Sequence, residues 1–70
     1  MNIHSLSFDG IVEFVTVADA KGFSEAARRL NCSVSHVSRQ VSRLEQRLGT
    51  ALFARSTRSV KLTETGQQYY

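Results

Sequence analysis

Between Ser33 and Gly49 the chain gathers Ser35, His36, Ser38 and Arg39, then Ser42, Arg43 and Gln46, with no acid before Glu45. Hydroxyl and guanidinium groups on one surface suit a partner built of phosphates and base edges. An arginine can bridge guanine O6 and N7 with two hydrogen bonds, and a serine can serve several bases or a phosphate. Ser33 stands where a helix cap is needed, and the free backbone N–H groups behind a cap can also hold a phosphate. Arg39 is the first candidate for base readout, with a phosphate contact or a solvated side chain as the alternatives.

These residues need a helix to position them, and the apolar pattern supplies one. Val34, Val37, Val41, Leu44 and Leu48 recur at spacings of three and four, which predicts a helix over Val34–Leu48 with this seam turned inward. Ser35, Arg39, Ser42 and Gln46 then face outward, with Ser38 and Arg43 on the flanks. Gly49 is the residue type preferred just past a helix end. A shorter helix is expected over Glu25–Leu30, capped by Ser24, with Ala26, Ala27 and Leu30 inward and Phe23 as a core anchor. Only Asn31-Cys32-Ser33 separates the two. Helices joined by so short a turn cross steeply, as in a helix-turn-helix unit.

Ahead of this unit, a helix from about Phe8 to Ala20 is expected. Phe8, Ile11, Phe14, Val15 and Ala18 share its apolar face, Asp9, Glu13 and Thr16 face water, and Val12 and Val17 sit at the stripe's edges. A stripe that broad implies a second contact, with the C-terminal segment or with another subunit. Beyond Gly49, Leu52–Arg55 and Val60–Leu62 read as two short strands around the tip Ser56-Thr57-Arg58-Ser59. Thr63 caps a fourth helix from Glu64, which Gly66 weakens. That helix reaches scarcely two turns before Tyr70, so the sequence reads as an excerpt of a longer protein.

Seventy residues make one domain, near the lower size at which a single core sustains itself, and a partner subunit would help it. A hydrophobic fraction of 41% and a charged fraction of 21% are ordinary for a globular domain. The net charge of +3 hides an asymmetry. Met1 to Ala27 carries Lys21 against Asp9, Glu13, Asp19 and Glu25, whereas Arg28 to Lys61 carries eight bases against Glu45 alone. A basic half of this kind is the electrostatic footprint of a nucleic-acid binder. Cys32 has no second cysteine to pair with, the N-terminus has no secretory pattern, and no apolar run reaches the length of a membrane span. A cytoplasmic protein with no membrane partner is expected.

Other chemistries fit less well. An enzyme needs a convergent nucleophile and base or a metal site, and two distant histidines with one cysteine provide none. His36 admits three readings: a base or phosphate contact, a helix residue without a role, or a metal ligand with Cys32, which would need two further ligands. A protein-docking module is the rival from another class, using the valine-leucine seam as its interface. That seam spans about two heptads, short of a coiled coil, and a core explains it. Arg55 and Arg58 flank and occupy the strand-to-strand tip, where arginines follow a DNA backbone or enter a narrow minor groove. Arg43 can reach phosphate, and Ser24 at the start of the second helix is a further backbone clamp.

Taken in order, FVTVADAKGFSEAARRL (Phe14 to Leu30) and SVSHVSRQVSRLEQRLGTALFARSTRSVKLTETG (Ser33 to Gly66), with the short turn between them, resemble the N-terminal DNA-binding domain of LysR-type transcriptional regulators. The resemblance implies a mainly α fold: a winged helix-turn-helix of three helices plus a two-stranded β-wing, over residues 1–62. Residues 63–70 would then begin a fourth, linker helix used for dimerisation. It further implies sequence-specific binding of duplex DNA as a homodimer, of higher order in the full-length protein, within the bacterial nucleoid. The DNA-binding residues would be Ser24, Ser33, Val34, Ser35, His36, Ser38, Arg39, Arg43, Arg55 and Arg58. No catalytic residue, metal or cofactor is implied in this chain, because the family's small-molecule effector binds a C-terminal domain. Val34-Ser35 stands where family members often carry Gln-Pro, and His36 where a small or apolar residue is usual. The target sequence is therefore this chain's own.

Overall fold

In the computed structural model, which describes residues 10–55 and 60–70, helix α1 (Ile11–Ala20) begins from Gly10 in a left-handed conformation, φ 85°. A β-carbon on Gly10 would stand 2.7 Å from the Gln40 carbonyl oxygen and 2.9 Å from the Leu44 β-carbon. The bare backbone thus lets the start of α1 sit directly on the third helix. This places the helix start at Ile11 instead of Phe8, and Phe8 and Asp9 fall outside the described residues. The inward face is also rotated from the expected one. Phe14 and Val17 are buried, Ile11, Val15 and Ala18 are half-buried, and Val12 is 57% exposed. Val17 moves from the edge of the stripe to its centre because α1 is covered from two sides, by α2 (Phe23–Leu30) and α3 (Val34–Leu48).

Lys21 closes α1 in the left-handed region, its N–H donating to the Val17 carbonyl. Helix α2 then starts two residues earlier than expected, at Phe23 instead of Glu25. Gly22 holds the N-cap with no side-chain hydrogen bond, and Ser24 lies exposed inside the first turn, so Ser24 is not the cap. The physical reason is Phe23. As the first helical residue it can lay its ring edge-on against Phe53, 6.0 Å between centroids. Asn31 ends α2 with φ 56°, and the Cys32 N–H reaches back to the Ala27 carbonyl. This tight reversal turns the chain straight into α3.

Ser33 caps α3 as its type suggests, the Oγ accepting from the His36 N–H at 3.0 Å. Gly49 closes the helix at φ 71°. Of the expected seam, Val37, Val41 and Leu44 are buried and Leu48 is half-buried, but Val34 is 45% exposed. Val34 stands at the very start of α3, where the seam is only partly covered, whereas Val37 one turn on is fully buried.

Strands β1 (Phe53–Arg55) and β2 (Val60–Leu62) pair antiparallel, with Phe53 opposite Leu62 and Arg55 opposite Val60. Leu52, expected within the first strand, precedes it as a fully buried core residue. The turn 56–59, with Arg58, falls outside the described residues. Helix α4 (Glu64–Tyr69) starts from Thr63, whose hydroxyl accepts from the Gly66 N–H at 2.9 Å and donates to the Ala51 carbonyl at 2.7 Å. The Tyr70 hydroxyl donates to Asp19, and its ring meets Phe14 edge-on at 6.5 Å. Phe14 also packs against Phe53 at 5.4 Å, so the aromatic centre joins α1, β1 and the end of the chain. Edge and offset pairs of this kind contribute about 0.5–1.5 kcal/mol each beyond simple burial.

Candidate nucleic-acid interface

The first two turns of α3 carry most of the expected site. Ser33, Val34, Ser35 and Arg39 are exposed, His36 and Ser38 are half-exposed, and Arg43 extends the outward stripe one turn further. The opposite face of the same helix is locked into the core by Val37, Val41 and Leu44. Arg39 therefore leaves a rigid helix at a defined angle, which is the condition for reading a base edge. Among the described residues, neither Arg39 nor Arg43 pairs with an acid, whereas Arg28 and Arg29 both hold Glu25. Those two guanidinium groups keep the Glu25 carboxyl below its ordinary range, the Arg28 hydrogen bond contributing most. Ser24 is exposed at the start of α2.

His36 is not solitary. Its Nε2 stands 3.8 Å from Glu13 Oε2, and Glu13 is largely buried between α1 and α3 instead of facing water. The His36–Glu13 approach links the start of α3 to α1. Among the described residues no group of three or more His, Cys, Asp or Glu side chains lies close enough to hold a metal ion.

Glu45 is the residue that spacing did not single out. Its Oε2 accepts from the backbone N–H of Leu52 at 2.8 Å and of Phe53 at 3.3 Å, while Oε1 accepts from Arg55 Nη2 at 3.2 Å. The guanidinium carbon of Arg55 also lies 4.9 Å above the Phe23 ring. The lone acid of the basic half thus fastens the first strand to α3. Its position one residue past Leu44, at the border of the seam, was the available signal, and only the fold shows what it meets.

The helix pair with its short turn, the third helix's exposed edge and the two-stranded wing form a winged helix-turn-helix. Residues 8–67 match the family model described as bacterial regulatory helix-turn-helix protein, lysR family. The chain belongs to the LysR family. Among curated LysR-type relatives, it is 47% identical over 57 residues to the HTH-type transcriptional regulator BudR of Klebsiella aerogenes, covering 81% of this chain and 40% of that protein. It is 49% identical over 57 residues to the HTH-type transcriptional regulator CrgA of Neisseria meningitidis serogroup B, covering 81% of this chain and 19% of that protein. The LysR-family chain therefore spans a minor share of these relatives' length. Among solved structures, the CbnR DBD–DNA complex superposes with a TM-score of 0.85 at 37% identity, over 89% of this chain and 71% of that one. The BenM DBD complex with catB site 1 DNA gives 0.84 at 36% identity, over 87% and 68%. Among the described residues of this LysR-family member, no helix is long and apolar enough to cross a membrane.

Proposed function

We propose that this chain binds duplex DNA sequence-specifically as the DNA-binding region of a bacterial LysR-type transcriptional regulator. The observation that carries this reading is the start of α3, where Ser33, Val34, Ser35 and Arg39 are exposed and no acid stands among the helix's own residues before Glu45, on a helix whose other face is buried. Likeness to two LysR-type chains solved on DNA supports it. In a helix-turn-helix the N-terminal half of the second helix enters the major groove. Arg39 then reads guanine, Ser35 and Ser38 meet bases or phosphate, and Val34 offers an apolar contact of the kind that suits a thymine methyl. Ser33, Ser24 and Arg43 bind backbone phosphates and fix the register. The wing, including Arg58, lies along the adjacent backbone or minor groove.

The chain acts as a homodimer in this reading. Val12 on α1 and Tyr69 and Tyr70 at the end of the chain are exposed large apolar residues, in keeping with a partner surface. Two recognition helices would meet half-sites about one helical turn apart, or a multiple, so the target is roughly palindromic. Sensing of a small-molecule effector is assigned to other parts of a full-length regulator, and the work on chromosomal DNA to the cytoplasm.

Selection of duplexes from a random pool, followed by binding across a salt series, tests the reading. A steep fall in affinity with salt and an enriched, roughly palindromic sequence are expected. Flat or absent binding would transfer support to a protein-docking module.

A further inference from the structure

The basic wing was expected to use both Arg55 and Arg58 on DNA, but Arg55 is already committed within the fold. Its guanidinium pairs with Glu45 on α3 and lies over Phe23 on α2. The Glu45 side chain is 16% exposed, and both of its oxygens are used, one by Arg55 and the other by the two backbone N–H groups that lead into β1. Phe23 in turn meets Phe53, the first residue of that strand. Glu45, Arg55, Phe23 and Phe53 thus close a circuit through α3, β1 and α2.

We propose that Glu45 and Arg55 are positioning residues, a brace that sets the wing against the recognition helix, and that Arg55 is not a phosphate ligand. The proposal rests on the DNA-binding reading and refines its wing. Three physical points favour it. A carboxylate at 3.2 Å offsets the charge of Arg55, whose side chain is 39% exposed, and so lessens the counterion release a phosphate contact would yield. Pulling the guanidinium away would strand a largely buried carboxylate with one oxygen unpaired, and unpaired buried charge is costly. The brace also joins the end of the wing's first strand to the helix that carries Arg39. Base edges and the flanking backbone can then be met at once only when wing and helix keep a fixed separation.

The test uses the whole chain with random-sequence and pool-selected duplexes. Glu45→Gln is the informative variant. Its amide oxygen can still accept from Leu52 and Phe53, while its NH2 group turns toward Arg55 and releases it. A brace predicts that Glu45→Gln weakens binding to the selected duplex by about three- to tenfold, although the variant is one charge more positive. Arg55→Met should weaken it similarly, and the double variant no more than either single one. Tighter binding by Glu45→Gln would identify Arg55 as a phosphate ligand held back by Glu45, and would overturn the proposal. Unchanged affinity in both folded single variants would overturn it too. Should Arg55→Met not fold, the sign of the Glu45→Gln effect still decides.

A second readout needs no DNA. Amide hydrogen exchange at Leu52 and Phe53 in the free chain should quicken in Glu45→Ala and stay near the wild-type rate in Glu45→Gln. Equal, fast exchange in the wild type and both variants would refute the docking of β1 on Glu45. Failure of the wild-type chain to bind any duplex would instead refute the DNA-binding reading and leave the exchange result to judge the brace.

Discussion

A β-carbon on Gly66 would fall inside the van der Waals envelope of the Leu52 carbonyl oxygen, so α4 rests through bare backbone on the residue that precedes β1. In an isolated helix, alanine in place of glycine gains about 1 kcal/mol. At this site the gain is reversed, because the carbonyl belongs to a buried residue with nowhere to retreat and already accepts from the Thr63 N–H at 2.9 Å. Gly66→Ala should therefore destabilise the chain by about 1–3 kcal/mol. In a domain of this size each kcal/mol lowers Tm by about 4–8 °C, which thermal unfolding followed by circular dichroism resolves. A higher Tm would show that α4 does not dock on Leu52.

Ser33 caps α3, and substitution can separate that role from the phosphate contact proposed for it. Ser33→Ala removes the acceptor for the His36 N–H and should cost about 1 kcal/mol of stability. Ser33→Asp keeps a good cap and should preserve stability, but it sets a negative charge where a phosphate is expected. Duplex affinity should then fall for Ser33→Asp at unchanged Tm. Wild-type affinity for Ser33→Asp would remove Ser33 from the interface.

Arg39 and Arg58 should differ in kind. Arg39→Ala should weaken binding to a selected duplex by about 1–3 kcal/mol while affecting random DNA less, as expected of a base contact. Arg58→Ala should weaken both about equally and lower the salt slope by about one. Competition titrations at several salt concentrations measure both quantities. Equal behaviour of the two variants would contradict the division between reading helix and wing.

Acid should loosen α2 through Glu25. The Arg28 and Arg29 hydrogen bonds lower its native pKa below the ordinary 4.5, so the stability they contribute is present above that value and is lost as pH falls through the lower native one. Glu25→Gln should unfold at a lower temperature than the wild type at neutral pH, by a small margin because the group is exposed. The margin should close as pH drops below about 4.5. A gap that persists under acid would trace the effect to helix propensity instead of charge.

Much of this protein was legible in the order of its residues, because local rules decide local structure. The three-and-four spacing from Val37 to Leu48, the caps Ser33 and Thr63, the helix ends Asn31 and Gly49, and the outward Ser35–Arg39 edge depend on backbone geometry over a few residues. The tertiary structure decided what local rules cannot reach. Val17 is central and Val12 exposed because α2 and α3 cover α1 from two sides. Val34 at the start of α3 stays 45% exposed while Val37 is buried, and Phe23 takes the helix start from Ser24 because its ring has Phe53 to meet. Glu45 and Arg55, ten residues apart, become partners only when the chain folds back from α3 into the wing. Charges and rings act through space, so their roles follow from the neighbours that folding brings to them.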